Sequence, residues 1–168
     1  VLWSTVEKTA LADAEVEYQD HKSDTIYACF QVKKSSFKEL DDCEIVIWTT
    51  TPWTLPSNEA VAMGKDISYG IYKLTLNGRE ILVVIANDLK ETIKNRWNVE
   101  NLQMLEEISA ENLFGLQLQH PFDERTVPVL LGEHVTTENG TGSVHTAPAH
   151  GLEDFQLGQE NDLDLNCY

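Results

Sequence analysis

The sequence predicts a mainly β chain with peripheral helices, its strands curling into a closed or nearly closed barrel. Three observations carry this. Segments rich in β-branched and aromatic residues recur at short spacing, Gly, Pro or Asn-Gly punctuates them, and only two segments read as helices.

Residues 44–50 form the first clear strand, because Ile45, Val46, Ile47, Trp48, Thr49 and Thr50 crowd together and Pro52 closes the run. Thr49, Thr50 and Thr51 therefore sit at a strand exit. Residues 67–76 and 80–86 flank Asn77-Gly78, the pair best suited to a two-residue hairpin whose central residues both take positive φ. Asp88 with Glu91 reads as a capping box, and Leu89, Ile93 and Trp97 at spacing four give a helix one apolar face. Short strands follow at 116–119 and 126–131. A Gly-rich turn, Glu138-Asn139-Gly140-Thr141-Gly142, then leads into a strand at 143–146. After Pro148 a second helix starts at Leu152, with Glu153 and Asp154 in the first turn, where the helix dipole favours acids.

The chain has 168 residues and a net charge of −16, which bounds it to one domain over 1–168 and opposes a broad, sequence-blind grip on duplex nucleic acid. Cys29, Cys43 and Cys167 are odd in number and lack metal-ligand spacing, so neither a disulfide framework nor a zinc finger is expected. No apolar run approaches the roughly 20 residues that cross a bilayer. The start at Val1, with an acidic stretch over 7–17 and no signal-peptide pattern, leads us to expect a cytoplasmic domain excised from a larger protein.

Two constellations carry chemistry. In Trp48-Thr49-Thr50-Thr51-Pro52-Trp53-Thr54-Leu55-Pro56, three hydroxyls at a strand end lie between two indoles and are stiffened by prolines, a surface for a small polar ligand with an apolar tail. The bland alternative is that Thr builds strands and Trp fills cores. In Gly140-Thr141-Gly142-Ser143-Val144-His145-Thr146-Ala147-Pro148-Ala149-His150-Gly151-Leu152-Glu153-Asp154, the glycines admit close backbone approach, and His145 with Asp154 supplies a proton-transfer group and an anion. A metal site of His145, His150 and Asp154 is the less favoured reading, since the spacing matches no recognised ligand pattern. Ser143 lies in no Gly-x-Ser-x-Gly elbow and no cysteine lies near a histidine in sequence, so water is the expected nucleophile of any hydrolysis. His21, His120 and His134 read as surface or satisfied residues, and the acids over 153–164 as a solvated helix face.

Together the two motifs, the first extended to Asn58, resemble the editing domain inserted into the catalytic core of isoleucyl-tRNA synthetases, and the resemblance spans the whole chain, including residues 10–18. It separates the relatives. The valine and leucine enzymes carry Thr-Thr-Arg-Pro before an acid in the first motif, where this chain has Thr51-Pro52-Trp53, and the valine enzyme has Lys where His145 stands. Ala149, where many bacterial members have Gly, and Glu153, where Asp is frequent, depart from the pattern.

The resemblance implies the β-barrel fold of the Val, Ile and Leu synthetase editing domains. It implies hydrolysis of the ester joining misattached valine to tRNA(Ile), as a second sieve that excludes isoleucine. It assigns catalysis to Thr50, Thr51, His145 and Asp154, and substrate binding to these with Trp48, Thr49, Trp53 and Asn58. The partner implied is the 3′ end of valine-charged tRNA(Ile), with valyl-adenylate a further substrate; the chain is a monomer without membrane contact. Editing needs no cofactor or metal, ATP and Mg serving the parent ligase alone.

The residue types suit that chemistry. A carboxylate such as Asp154 can hold the substrate's α-ammonium by a charge-assisted hydrogen bond, while threonine hydroxyls orient water and ribose and their methyls narrow the pocket. His145 either walls the pocket or protonates the leaving ribose oxygen. A second sieve is needed because one methylene is worth only about 1–3 kcal/mol in an apolar pocket. Three rivals stay open at this stage: a module that binds aminoacyl ends without turnover, a metal-dependent hydrolase, and a structural insertion whose site has decayed.

Overall fold

The computed structural model describes residues 1–20, 22–35 and 37–166. His21 and Cys167 lie outside the described residues. The chain is mainly β. A small ribbon of β1 (Trp3–Ser4) and β2 (Thr9–Ala10) precedes a nine-stranded sheet. The sheet is built from β3 (Ile26–Lys34), β4 (Cys43–Thr49), β5 (Ala60–Met63), β6 (Ser68–Leu76), β7 (Arg79–Ala86), β8 (Leu102–Ser109), β9 (Gln117–Gln119), β10 (Thr126–Leu131) and β11 (Ser143–Thr146). Helices α1 (Lys90–Trp97), α2 (Ala110–Leu113) and α3 (Leu152–Glu160) decorate it.

The strand order is β11-β5-β10-β9-β3-β4-β7-β6-β8, so β11 and β8 are the two ends and, among the described residues, strand pairing does not close the barrel. Side-chain and turn hydrogen bonds tie the segment before β11 to the middle of the sheet. Thr141 Oγ1 donates to the Val46 carbonyl of β4 at 2.5 Å, and the Ala86 N–H of β7 donates to the Thr141 carbonyl at 2.9 Å, which draws the turn before β11 onto the β4–β7 region.

The Asn77-Gly78 hairpin forms as the sequence predicts, with φ of 51° and 77° and a ladder from Tyr69↔Ala86 to Leu76↔Arg79. Around α1 the outcome differs. A 3-10 turn, Asn87–Leu89, precedes the helix and no side chain caps it, so the expected Asp88–Glu91 capping box is absent. The apolar face is present: Leu89 and Ile93 are buried, and half-buried Trp97 meets Tyr27 edge-on with ring centres 5.3 Å apart.

The core lies inside the curved sheet and includes Phe30, Ile45, Ile47, Met63, Ile71 and Leu118, all at most 2% exposed. Each fully buried side chain of this kind contributes about 1.5–3 kcal/mol. Cys29 and Cys43 are free thiols; Cys43 Sγ contacts the Glu39 carbonyl at 3.3 Å, and burial pushes its thiol up to about 11. Among the described residues no helix is long and apolar enough to cross a membrane.

Candidate active site

The first motif leaves β4 at Thr49 and turns at once. The backbone N–H of Thr51 donates back to Thr49 Oγ1 at 3.0 Å, a hydroxyl turn that stops the strand, and Pro52 opens the 3-10 helix Pro52–Ser57. One turn later Thr54 donates its hydroxyl to the Thr51 carbonyl at 2.8 Å. Thr49, Thr51 and Thr54 thus lie in a row, with Oγ1 separations of 3.4 and 3.5 Å.

The second motif meets this row from the opposite side. β11 pairs His145 with Val61 of β5, and His145 Nε2 lies 3.0 Å from Thr54 Oγ1. With the Thr54 proton assigned to the Thr51 carbonyl, the shorter of the two contacts, the imidazole is the complementary donor. The ring therefore carries its proton on Nε2, and buried Nδ1 has no partner among the described residues. Burial pulls the His145 pKa below the ordinary histidine value, against an opposing pull from Asp154, so the ring is neutral at pH 7.

Asp154 stands in the first turn of α3, where the Ala147 N–H donates to its Oδ2 at 2.9 Å. That bond ties the half-buried carboxyl to the loop between β11 and α3. Gly140 and Gly142, with φ of 79° and 80°, shape the far wall. A Cβ at Gly142 would lie 2.4 Å from that of Ala86, and buried Tyr69 anchors this turn by donating to the Gly142 carbonyl at 2.6 Å while accepting from the Gly64 N–H.

Trp48, Thr49, Thr50, Thr51, His145 and Asp154 consequently line one cleft of about 350 Å³. Two expected binding residues do not line it. Trp53 is 69% exposed on the 3-10 turn, and Asn58 is fully buried, where its Nδ2 donates to the Ala60 carbonyl at 2.7 Å and braces β5. With Gly140, Gly142, Ser143 and Val144 of the second motif, the lining also holds His134, Thr136, Glu138 and Asn139, which were not among the expected site residues, nor was Thr54, which lies behind it. Thr54 had a usable signal, its position three residues after Thr51 in a proline-opened turn; the loop residues had none.

His120 is buried, with its Nε2 3.0 Å from the Leu55 carbonyl and its Nδ1 without a hydrogen-bond partner among the described residues, so it is only half satisfied, whereas His134 borders the cleft. Among the described residues no group of three His, Cys, Asp or Glu side chains is placed to hold a metal ion, so His145, His150 and Asp154 do not assemble into the metal site that the sequence left open.

The family model described as "Leucyl-tRNA synthetase, editing domain" matches residues 22–167. The isoleucine–tRNA ligase of Brevibacillus brevis is 45% identical over 99% of this chain and 18% of its own length; that of Pelagibacter ubique is 47% identical over 94% of this chain and 18% of its own. The chain thus spans about a fifth of these relatives. Among solved structures, the editing domain of the P. knowlesi cytosolic leucyl-tRNA synthetase superposes with a TM-score of 0.67 at 11% identity, covering 82% of this chain and 62% of that one, a likeness of fold alone.

Proposed function

The chain belongs to the aminoacyl-tRNA synthetase editing-domain family, on its isoleucine side, and from that premise we propose that its cleft hydrolyses the ester of valine misattached to tRNA(Ile). The observation that carries this reading is the placement of Asp154. One carboxylate oxygen is pinned by the Ala147 N–H, and the group stands at the same cleft as three threonines and a neutral histidine.

In this reading the substrate's α-ammonium bonds the Asp154 carboxylate, which fixes the ester carbonyl over the threonine row. Thr50 and Thr51 orient a water. The water attacks the carbonyl carbon and gives up a proton, the bond to the ribose oxygen breaks, and that oxygen takes up the water's proton as valine leaves with the water oxygen in its carboxylate. Trp48 and Thr49 bound the site. His145 serves as the wall of the side-chain pocket: Nε2 is engaged by Thr54, Nδ1 is buried, and a neutral ring has no proton to spare for the leaving oxygen. The wall leaves room for valine and stops a side chain one methylene longer.

The proposal includes a chain excised from a longer, cytoplasmic, monomeric ligase, with ATP and Mg used by that ligase and none by the cleft. Valyl-adenylate is a second substrate, and the wrapped sheet acts as a nearly closed barrel around the pocket, a reading supported by the Thr141 bonds. The test is deacylation of valine-charged tRNA(Ile), in the presence of chelator, by this chain and by Asp154→Ala. Turnover by the first and loss in the second are expected. Equal rates at the uncatalysed level would leave a binding module, and loss of activity in chelator would leave a metal-dependent hydrolase.

A further inference from the structure

The surroundings of the cleft differ in charge. Asp154 lines the cleft on the α3 side, and three acids, Glu133, Glu153 and Glu160, against one base, Lys65, line an adjoining groove that shares His134 with it, while Glu138 lies on the turn that leads to Gly140. Trp48 also lines the cleft, packed under the Gly140 backbone, where a Cβ would stand 3.5 Å from the indole. Beyond Trp48 lies α1, which carries Lys90, Lys94 and Arg96 against one acid, Glu91. The Arg96 guanidinium lies over the Trp48 ring at 5.8 Å, with a long 3.5 Å contact from Nη1 to the Tyr27 hydroxyl.

Arg96 is exposed and, among the described residues, has no carboxylate within 4.0 Å, in a chain with 28 acids and 12 basic side chains. The aromatic ring holds the cation beside Trp48, a residue of the cleft lining, while leaving most of its donors open. Phosphates arriving over the α3 side would face carboxylates. Over the Trp48 edge they meet a held guanidinium.

The geometry points to Arg96 as the phosphate-binding residue of the site: the single-stranded 3′ end of the charged tRNA crosses the Trp48 edge with a backbone phosphate on Arg96, and its aminoacyl end reaches Asp154. This rests on the editing reading and adds the polarity of the substrate across the cleft. It also reconciles a chain of net charge −16 with a polyanionic partner, since only one or two phosphates of a flexible end need to be met.

The test compares two stable ligands, 3′-valylamido-adenosine without phosphate and the 3′-valylamido trinucleotide CCA, titrated against this chain, Arg96→Gln and Arg96→Lys. The wild-type chain is expected to favour the trinucleotide about tenfold at low salt. Arg96→Gln should collapse that ratio towards one and flatten the log–log salt dependence of trinucleotide binding by about 0.7. Arg96→Lys should keep most of both. A ratio near one in the wild-type chain, or a ratio and salt slope unchanged in Arg96→Gln, overturns the inference. Equal weakening of both ligands in Arg96→Gln, with no change in slope, also overturns it, because it would mean that Arg96 only props Trp48. Hydrolysis of valine-charged tRNA is scored separately: a phosphate preference without turnover sinks the editing reading and keeps the phosphate path, and turnover without the preference does the reverse.

Discussion

Thr54 Oγ1 and His145 Nε2, 91 residues apart in sequence, lie 3.0 Å apart behind the cleft lining, and with the Thr54 proton assigned to the Thr51 carbonyl this contact assigns the imidazole proton to Nε2. The Thr54 proton is already given to the Thr51 carbonyl, so one hydroxyl ties the first motif to the second.

Thr54→Val, close in shape but without the hydroxyl, leaves the buried Nε2–H of His145 without an acceptor, at a cost of about 1–3 kcal/mol. Urea unfolding should show that loss, Thr54→Ser should recover most of it, and deacylation of the valyl ester should fall with the ring no longer held. A Thr54→Val chain as stable as wild type would break the assigned bond.

His145→Ala should trade selectivity rather than abolish hydrolysis. With the wall removed, isoleucine-charged tRNA(Ile) becomes a substrate, and the valine preference narrows by about 10- to 100-fold, the worth of one methylene. Paired single-turnover rates on the two charged tRNAs measure this. Complete loss on both would return His145 to proton transfer.

The two glycines of the second motif should separate under substitution. Gly142→Ala combines a positive φ with a Cβ 2.4 Å from that of Ala86 and should cost well over 1 kcal/mol and disturb the cleft wall. Gly140→Ala has the same backbone penalty but only ordinary contact with Trp48 at 3.5 Å, so it should cost about 1 kcal/mol. Thermal melts of the two variants test the ordering.

Acid should destabilise the fold earlier than carboxylate titration alone would. Burial holds both His145 and His120 below the ordinary histidine value, so as pH falls the unfolded chain binds protons first. Stability from these groups is full above about pH 6.5 and is lost below it, down towards their folded-state values. Glu59, raised mainly by burial, pulls the other way nearer the carboxylate range. Urea midpoints between about pH 7.5 and 5 should fall for the wild-type chain, and less for His145→Gln combined with His120→Gln. Parallel curves would contradict the assignment.

Much of this was legible in the sequence, and the reason is local chemistry. Asn77-Gly78 dictates its own turn, the 44–50 run is a strand on β-branched content alone, and the spacing of Leu89, Ile93 and Trp97 marks the helix face. β5 escaped because Ala60–Met63 is short, Ala-rich and buried throughout, so it shows neither alternation nor strong strand propensity. The mainly β class was legible from local pattern, but whether the sheet closes was not, because the bonds that draw Thr141 onto β4 and β7 are tertiary and leave no local mark. In the site, Thr49, Thr51, His145 and Asp154 could be read from their motifs. Asn58 and Trp53 could not be placed, because the direction of a side chain leaving a 3-10 turn depends on what it packs against.

The central claim is that Asp154 grips the substrate's ammonium while the acyl group lies over the threonine row. A crystal structure of the chain with a non-hydrolysable valyl-adenosine analogue measures it directly. The account predicts the ammonium nitrogen about 2.7–3.1 Å from an Asp154 carboxylate oxygen, with the valine side chain against His145. An ammonium turned towards Trp48 or out to solvent, with no Asp154 contact, would contradict it.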